Sequence, residues 1–154
     1  MKKILTALSL LFTVFFGYAQ KLDAKKVPHD GKDAFKKAHP GSTASWEMED
    51  ANYEANFMEG GKTMSCVINK QGTILETESP IKASELPSAA TTYMSRHFKG
   101  KKWKEVAKIV KANSEVNYEV NAGTDVLFDA NGNHLEKNEK KEKADLSFLK
   151  TGCN

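Results

Sequence analysis

Apolar and polar positions along this 154-residue chain change their spacing twice, in the same way, about 60 residues apart. Val27, Gly31, Ala34, Phe35 and Ala38 recur every three to four residues until His39-Pro40-Gly41 breaks the run. That spacing predicts a helix, and Pro28 suits its first turn, where a missing N–H costs nothing. The period then falls to two. Ala44, Trp46 and Met48 alternate with Ser45, Glu47 and Glu49, and Tyr53, Ala55 and Phe57 alternate with Glu54 and Asn56. Alternation of this kind predicts antiparallel strands, apolar on one face and acidic on the other. After a Glu59-Gly60-Gly61-Lys62 turn, Met64, Cys66 and Ile68 continue the apolar face. Asn69-Lys70-Gln71-Gly72 reads as a tight hairpin turn with Thr73 to Glu78 as its return strand, and Ser79-Pro80-Ile81-Lys82 as a break.

The second half repeats the plan. Leu86, Ala89, Ala90, Tyr93, Met94 and His97 form a helical stripe that starts near Pro87 and ends before Gly100. Val106 to Val110, then Val116, Tyr118 and Val120, then Thr124, Val126 and Phe128 read as strands. Asp129-Ala130-Asn131-Gly132 turns the chain into Asn133 to Lys137. Val27-Pro28 and Leu86-Pro87 lie 59 residues apart, Gly72 and Gly132 lie 60 apart, and Tyr53-Glu54-Ala55-Asn56 is echoed by Tyr118-Glu119-Val120-Asn121. A period of this length implies two copies of one supersecondary unit. The expected fold is α+β: a tandem duplication, residues 27–79 and 84–137, of a helix followed by about four antiparallel strands, with the helices packed on one face of the sheet. The other face is expected to meet solvent and to carry Glu47, Glu49, Glu54, Asn56, Asn117, Glu119 and Asn121.

The ends add compartment rather than fold. Lys2 and Lys3 precede an apolar run, Ile4 to Tyr18, and Gly17 and Ala19 flank a small-residue cleavage pattern. Residues 1–19 therefore read as a signal peptide cut between Ala19 and Gln20, too short to span a bilayer. A periplasmic or secreted protein with no membrane span is expected. Residues 20–26 read as a polar leader and residues 138–154 as a charged tail. The whole chain has 23 Lys and Arg against 20 Asp and Glu. Removing the two signal lysines leaves 21 against 20, a near-neutral balance that argues against a nucleic-acid partner.

Candidate chemistry is sparse. Cys66 and Cys153 are the only cysteines. In an oxidising compartment they form a candidate disulfide; alternatively Cys66, which occupies the place of Val126 in the second copy, is a buried free thiol. His39 and His97 end helices, where the dipole favours them. Asp129-Ala130-Asn131-Gly132-Asn133 opens like a calcium loop, but position 140, where the closing glutamate would fall, is a lysine, so a hairpin turn is expected. No metal or other cofactor is expected. Lys99, Lys101, Lys102 and Lys104 form the densest basic patch, of which the last three are taken as candidates. With Trp103 beside them, they are candidate partner contacts, together with Glu47, Glu54 and Glu119; Trp103 could instead fill the core.

Several of these stretches resemble a known family: the Val27-Pro28 and Leu86-Pro87 helix starts, Trp46-Glu47 leading into Tyr53-Glu54-Ala55-Asn56-Phe57, and Val126-Leu127-Phe128-Asp129-Ala130-Asn131-Gly132. Over roughly residues 25–137 the chain resembles the PepSY-like, beta-lactamase-inhibitor-like proteins exported by Bacteroidetes-type bacteria. The resemblance implies duplicated helix-plus-sheet units, a periplasmic or secreted location and no catalytic residues. The expectation is a non-enzymatic module that binds or inhibits a periplasmic protein through its open sheet face, which should then carry exposed Trp or Tyr near its centre. The alternative is an envelope structural or stress protein with weak small-molecule or metal binding.

Overall fold

The computed structural model describes residues 21–49 and 51–136; the expected signal peptide and charged tail, with Cys153, lie outside the described residues. A 3-10 turn, Ala24–Lys26, leads to helix α1, His29–Ala38, and to strands β1 (Ala44–Glu49), β2 (Asn52–Glu59), β3 (Lys62–Ile68) and β4 (Ile74–Pro80). The same series follows once more: a 3-10 turn, Ala83–Glu85, helix α2, Ser88–His97, and strands β5 (Glu105–Lys111), β6 (Val116–Asn121), β7 (Asp125–Asp129) and β8 (His134–Leu135). The eight strands make one open antiparallel sheet in chain order. The expected α+β class with antiparallel pairing is the observed one.

Both helices begin alike. Pro28 and Pro87 take the N-cap position with extended backbone, and their carbonyls accept from Lys32 N (3.2 Å) and Thr91 N (3.1 Å). Val27 and Leu86 were expected in the helices. They lie just before them, because each donates its N–H to the preceding 3-10 turn, at Ala24 O and Ala83 O. That turn sends both side chains into the core, 2% and 7% exposed.

Two apolar clusters result. Val27 and Phe35 pack with Trp46, Tyr53, Ala55, Phe57, Cys66 and Ile68. Leu86, Ala90 and Met94 pack with Val106, Val120, Ala122, Val126 and Phe128. Strand side chains alternate between faces, and the pairing register places the strand members of both clusters on one face of the sheet. Phe35 meets Trp46 and Phe57 edge-on, with centroids 5.7 and 5.1 Å away, a favoured aromatic geometry.

The seam between the halves is the β4–β5 ladder, which runs from Glu76 opposite Lys111 to Pro80 opposite Ala107. The expected break at residues 79–82 therefore begins later. Pro80 is the last residue of β4 and lies opposite Ala107, and the next residue, Ile81, still donates its N–H to Val106 O at 2.9 Å, so the missing N–H of Pro80 costs this ladder nothing. Its carbonyl accepts from Lys62 Nζ at 3.3 Å.

The two hairpin turns dock on the helix starts. Asn69 Oδ1 accepts from the N–H groups of Gln71 and Thr73, and Asp129 Oδ1 from those of Asn131 and Asn133, all at 2.9–3.0 Å. These are Asx-type turns, and they account for the acid and amide spacing of residues 129–133. Gly72 (φ 77°) and Gly132 (φ 84°) close them in the left-handed region. A Cβ at Gly72 would sit 2.7 Å from Asp30 O, and one at Gly132 2.8 Å from both Ala90 N and Pro87 Cβ. Either alanine must push the turn off its helix. Gly72→Ala and Gly132→Ala are each expected to cost roughly 2–3 kcal/mol in urea unfolding, against about 1 kcal/mol for Gly60→Ala, where φ is positive but space is open. Equal losses at all three positions would show that the turns do not depend on contact with the helices.

Candidate functional site

The face away from the two apolar clusters is built by the same alternation. One row across the strands reads Glu47, Glu54, Val67, Glu76, Lys111. The next reads Ser45, Asn56, Ser65, Glu78, Ile109, Asn117, Asp129, and a third reads Pro80, Ala107, Glu119, Leu127, Leu135. Glu105, opposite Asn121 and so in line with Asp125, adds two more carboxylates to this face.

This face was expected to be solvated. Its centre is not. Glu76 (6% exposed), Glu78 (5%), Asn117 (2%) and Glu119 (4%) are buried, and so are Val67, Ala107, Ile109 and Leu127. The expectation of solvent at Asn117 and Glu119 is corrected: alternation tells which face a residue joins, and close neighbours on that face decide whether water reaches it. Oε1 of Glu76 and Oε2 of Glu78 accept no hydrogen bond. Burial is the main cause that pushes Glu78 up to about 9, and the neighbouring carboxylates Glu119, Glu105, Glu76 and Glu54 add to it. Glu76 is pushed up to about 7 by burial; Lys111 opposes the shift and Glu54 adds to it. Glu54 is raised by burial and by Glu47, with the nearby polar side chains of Ser65 and Asn56 opposing the shift. Burial and Asp125 raise Glu105. Lys111 is itself held by Glu115, 3.1 Å away.

Among the candidate contacts, Glu47 and Glu54 are direct cross-strand neighbours and Glu119 lies on the same face, four strands from Glu54. Lys101, Lys102 and Lys104 are exposed in the loop between α2 and β5, and none lies in a strand. Trp103, beside them, is half-buried and packs against the second apolar cluster, as the core alternative expected. Among the described residues, no strand position on the acidic face is aromatic: Trp46, Tyr53, Phe57, Tyr118 and Phe128 all side with the helices. The aromatic anchors expected there are missing. Glu76 and Glu78 are the residues that sequence reading passed over. Their spacing of two around Thr77 was the available signal.

The remaining candidates lie apart among the described residues. Cys66 is buried and free, and burial, with Glu54, pushes its thiol up to about 12, which disfavours the nucleophilic thiolate. Its suggested partner Cys153 lies outside the described residues. His39 sits 3.1 Å from Glu59 and against the Phe57 ring, while His97 and His134 each stack on Tyr93. Among the described residues, no group of three or more His, Cys, Asp or Glu side chains is arranged to hold a metal ion, and no helix is long and apolar enough to cross a membrane.

Solved structures share this fold. A protein from Bacteroides eggerthii, provisionally assigned to the periplasm, matches with a TM-score of 0.62 at 18% identity, over 71% of this chain and 86% of that one. A DUF2874 family protein from Bacteroides uniformis matches with 0.60 at 20% identity over the same shares. A BLIP-like protein from Bacteroides fragilis matches with 0.54 at 25% identity, over 78% of this chain and 86% of that one. No protein-family model matches the chain, and no curated protein does.

The buried acids make stability depend on pH. A carboxyl whose folded value lies above its ordinary 4.5 keeps a proton that the unfolded chain has lost, so stability falls as pH rises from about 4.5 toward 9. Glu78→Gln removes part of that fall. It is expected to raise the urea midpoint at pH 8, by roughly 1–4 kcal/mol in stability, and to change it little near pH 4.5. Parallel pH profiles for the two proteins would contradict the assigned burial of Glu78.

Proposed function

We propose that the chain is an exported, non-enzymatic binding module of the BLIP-like kind, formed by tandem duplication of a helix-plus-four-strand unit, which acts on a periplasmic protein through the sheet face away from its helices. The export pattern at residues 1–19 and the descriptions of the similar Bacteroides proteins support the compartment and the class. One observation carries the choice of face. Carboxylate oxygens of Glu76 and Glu78 are held at the middle of the sheet, away from water and without hydrogen-bond partners. Groups in that state are costly to the folded chain, and Glu47 and Glu54, half-buried cross-strand neighbours on the same face, carry its acidic character out to where a partner can reach it.

The absence of aromatic anchors from this face favours the second reading, an envelope structural protein that binds small molecules weakly. One experiment separates the two. The mature chain, immobilised, is exposed to periplasmic extract alongside two variants. One variant places arginines at exposed positions of the acidic face (Ser45→Arg with Met58→Arg), and the other reverses charges on α1 (Lys36→Glu with Lys37→Glu). A stoichiometric partner is expected on the wild type and on the α1 variant, with capture reduced at least about tenfold on the face variant. Equal capture by the face variant would exclude this surface, and recovery of no stoichiometric protein would leave the structural reading in possession.

A further inference from the structure

We infer that the end of α2 and the loop that joins it to β5 dock the protein on a bilayer surface of anionic phospholipid headgroups, through Arg96, Lys99, Lys101, Lys102 and Lys104. This inference goes beyond the proposed function and takes from it only the export of the chain, which brings it beside such surfaces.

The charge pattern comes first. From Leu86 to Lys104 the chain holds no Asp or Glu. Its five cations crowd into the last nine residues of that stretch, with His97 among them, and all five are exposed. Among the described residues, the bases in ion pairs are His29, His39 and Lys111, and none of the five is so engaged.

The loop is firmly placed. Phe98 donates its N–H to Met94 O at 2.9 Å, Lys101 to Phe98 O at 3.0 Å and Lys104 to Asn121 O at 2.8 Å. Phe98 and Trp103 are half-buried against the second apolar cluster. The two aromatics tie the loop to the core, and the lysines stand outside it. The fold does not require those lysines. The matching connection between α1 and β1, residues 39–43, makes the same step from helix to sheet with no lysine or arginine, and His39 there takes the C-cap place of Phe98.

The kind of cation narrows the occupant. Four of the five are lysine. Lysine is a compact charge on a mobile stem, whereas arginine offers a rigid fork that grips one carboxylate or phosphate. A run of lysines suits a diffuse anionic surface better than one shaped site, and clusters of about four to eight such residues are what anionic bilayers attract. The far side of the sheet sets the orientation. The cluster that Phe98 and Trp103 join lies on the helix side, opposite the half-buried carboxylates Glu47, Glu54 and Glu105. An anionic surface attracts the loop and repels that face, so the docked protein turns its acidic face outward.

The test sediments the full mature chain with vesicles of phosphatidylcholine alone or mixed with phosphatidylglycerol, at low ionic strength. Binding is expected to the mixed vesicles only, with hydrogen-exchange protection at residues 97–104 and none in β1–β3. Lys101→Gln with Lys102→Gln is expected to weaken it at least about tenfold. Lys36→Gln with Lys37→Gln, equally exposed on α1, is expected to change it less than about twofold. No binding to the mixed vesicles, equal binding to phosphatidylcholine alone, equal weakening by the α1 variant, or protection centred on β1–β3 would each overturn the inference. A polyglutamate peptide that bound as tightly as the mixed vesicles would overturn it in favour of an acidic protein. Self-association at low salt that the Lys101 and Lys102 changes abolish, without vesicle binding, would overturn it in favour of a second copy.

Discussion

The β4–β5 ladder is the interaction on which the rest of the molecule depends. It joins two series of one helix and four strands into a single sheet, so neither half has a free edge at the seam. Continuity also fixes the faces. Strand side chains alternate along a regular ladder, and the one register shift in β3–β4 falls between Val67 and Ile68, so once Cys66, Thr77 and Val110 align on the side of the apolar clusters, Val67, Glu76 and Lys111 align on the other. The seam therefore puts Glu76 and Glu78 at the middle of the sheet, the place farthest from its edges and hardest for water to reach.

The helices impose a second condition. Each is only ten residues long, too short to be stable without packing. Each is held at its start, by a proline N-cap, a 3-10 turn that drives Val27 or Leu86 inward, and a hairpin glycine pressed against its first turn. The hairpins consequently do two things: they reverse the chain, and they fix the helix ends against the sheet. A side chain at Gly72 or Gly132 would be strained by backbone angle and by contact at once.

Much of this was legible in the residues. The helix stripes, the alternation of β1 to β3 and β6, and both hairpin turns were visible because each is a local signal with a local cause. Where reading failed, the cause was non-local. Val27 and Leu86 matched helical spacing, but a 3-10 turn placed them from outside the helix. Pro80 looked like a break, yet the ladder with β5 carries the strand through it. Asn117 and Glu119 were assigned to the correct face and to the wrong environment, because alternation reports direction and not wetness. Glu76 and Glu78 escaped notice for a related reason: one hairpin's return strand gives no sign that a second half will pair beside it.

Those two glutamates also carry the functional argument. Glutamine would keep their shape and most of their hydrogen-bonding capacity without a charge to desolvate, so an isolated sheet gains nothing from acids at these sites. Mutual repulsion with Glu54, Glu105 and Glu119 adds to the cost. Perturbed acids of this kind also occur in structural networks, but there a cation or a set of donors compensates them. Around Glu78 no charged group compensates. Burial instead keeps the proton on Glu78, whose value is pushed up to about 9, so at neutral pH the charge on this face lies with its half-buried members such as Glu47 rather than with its centre.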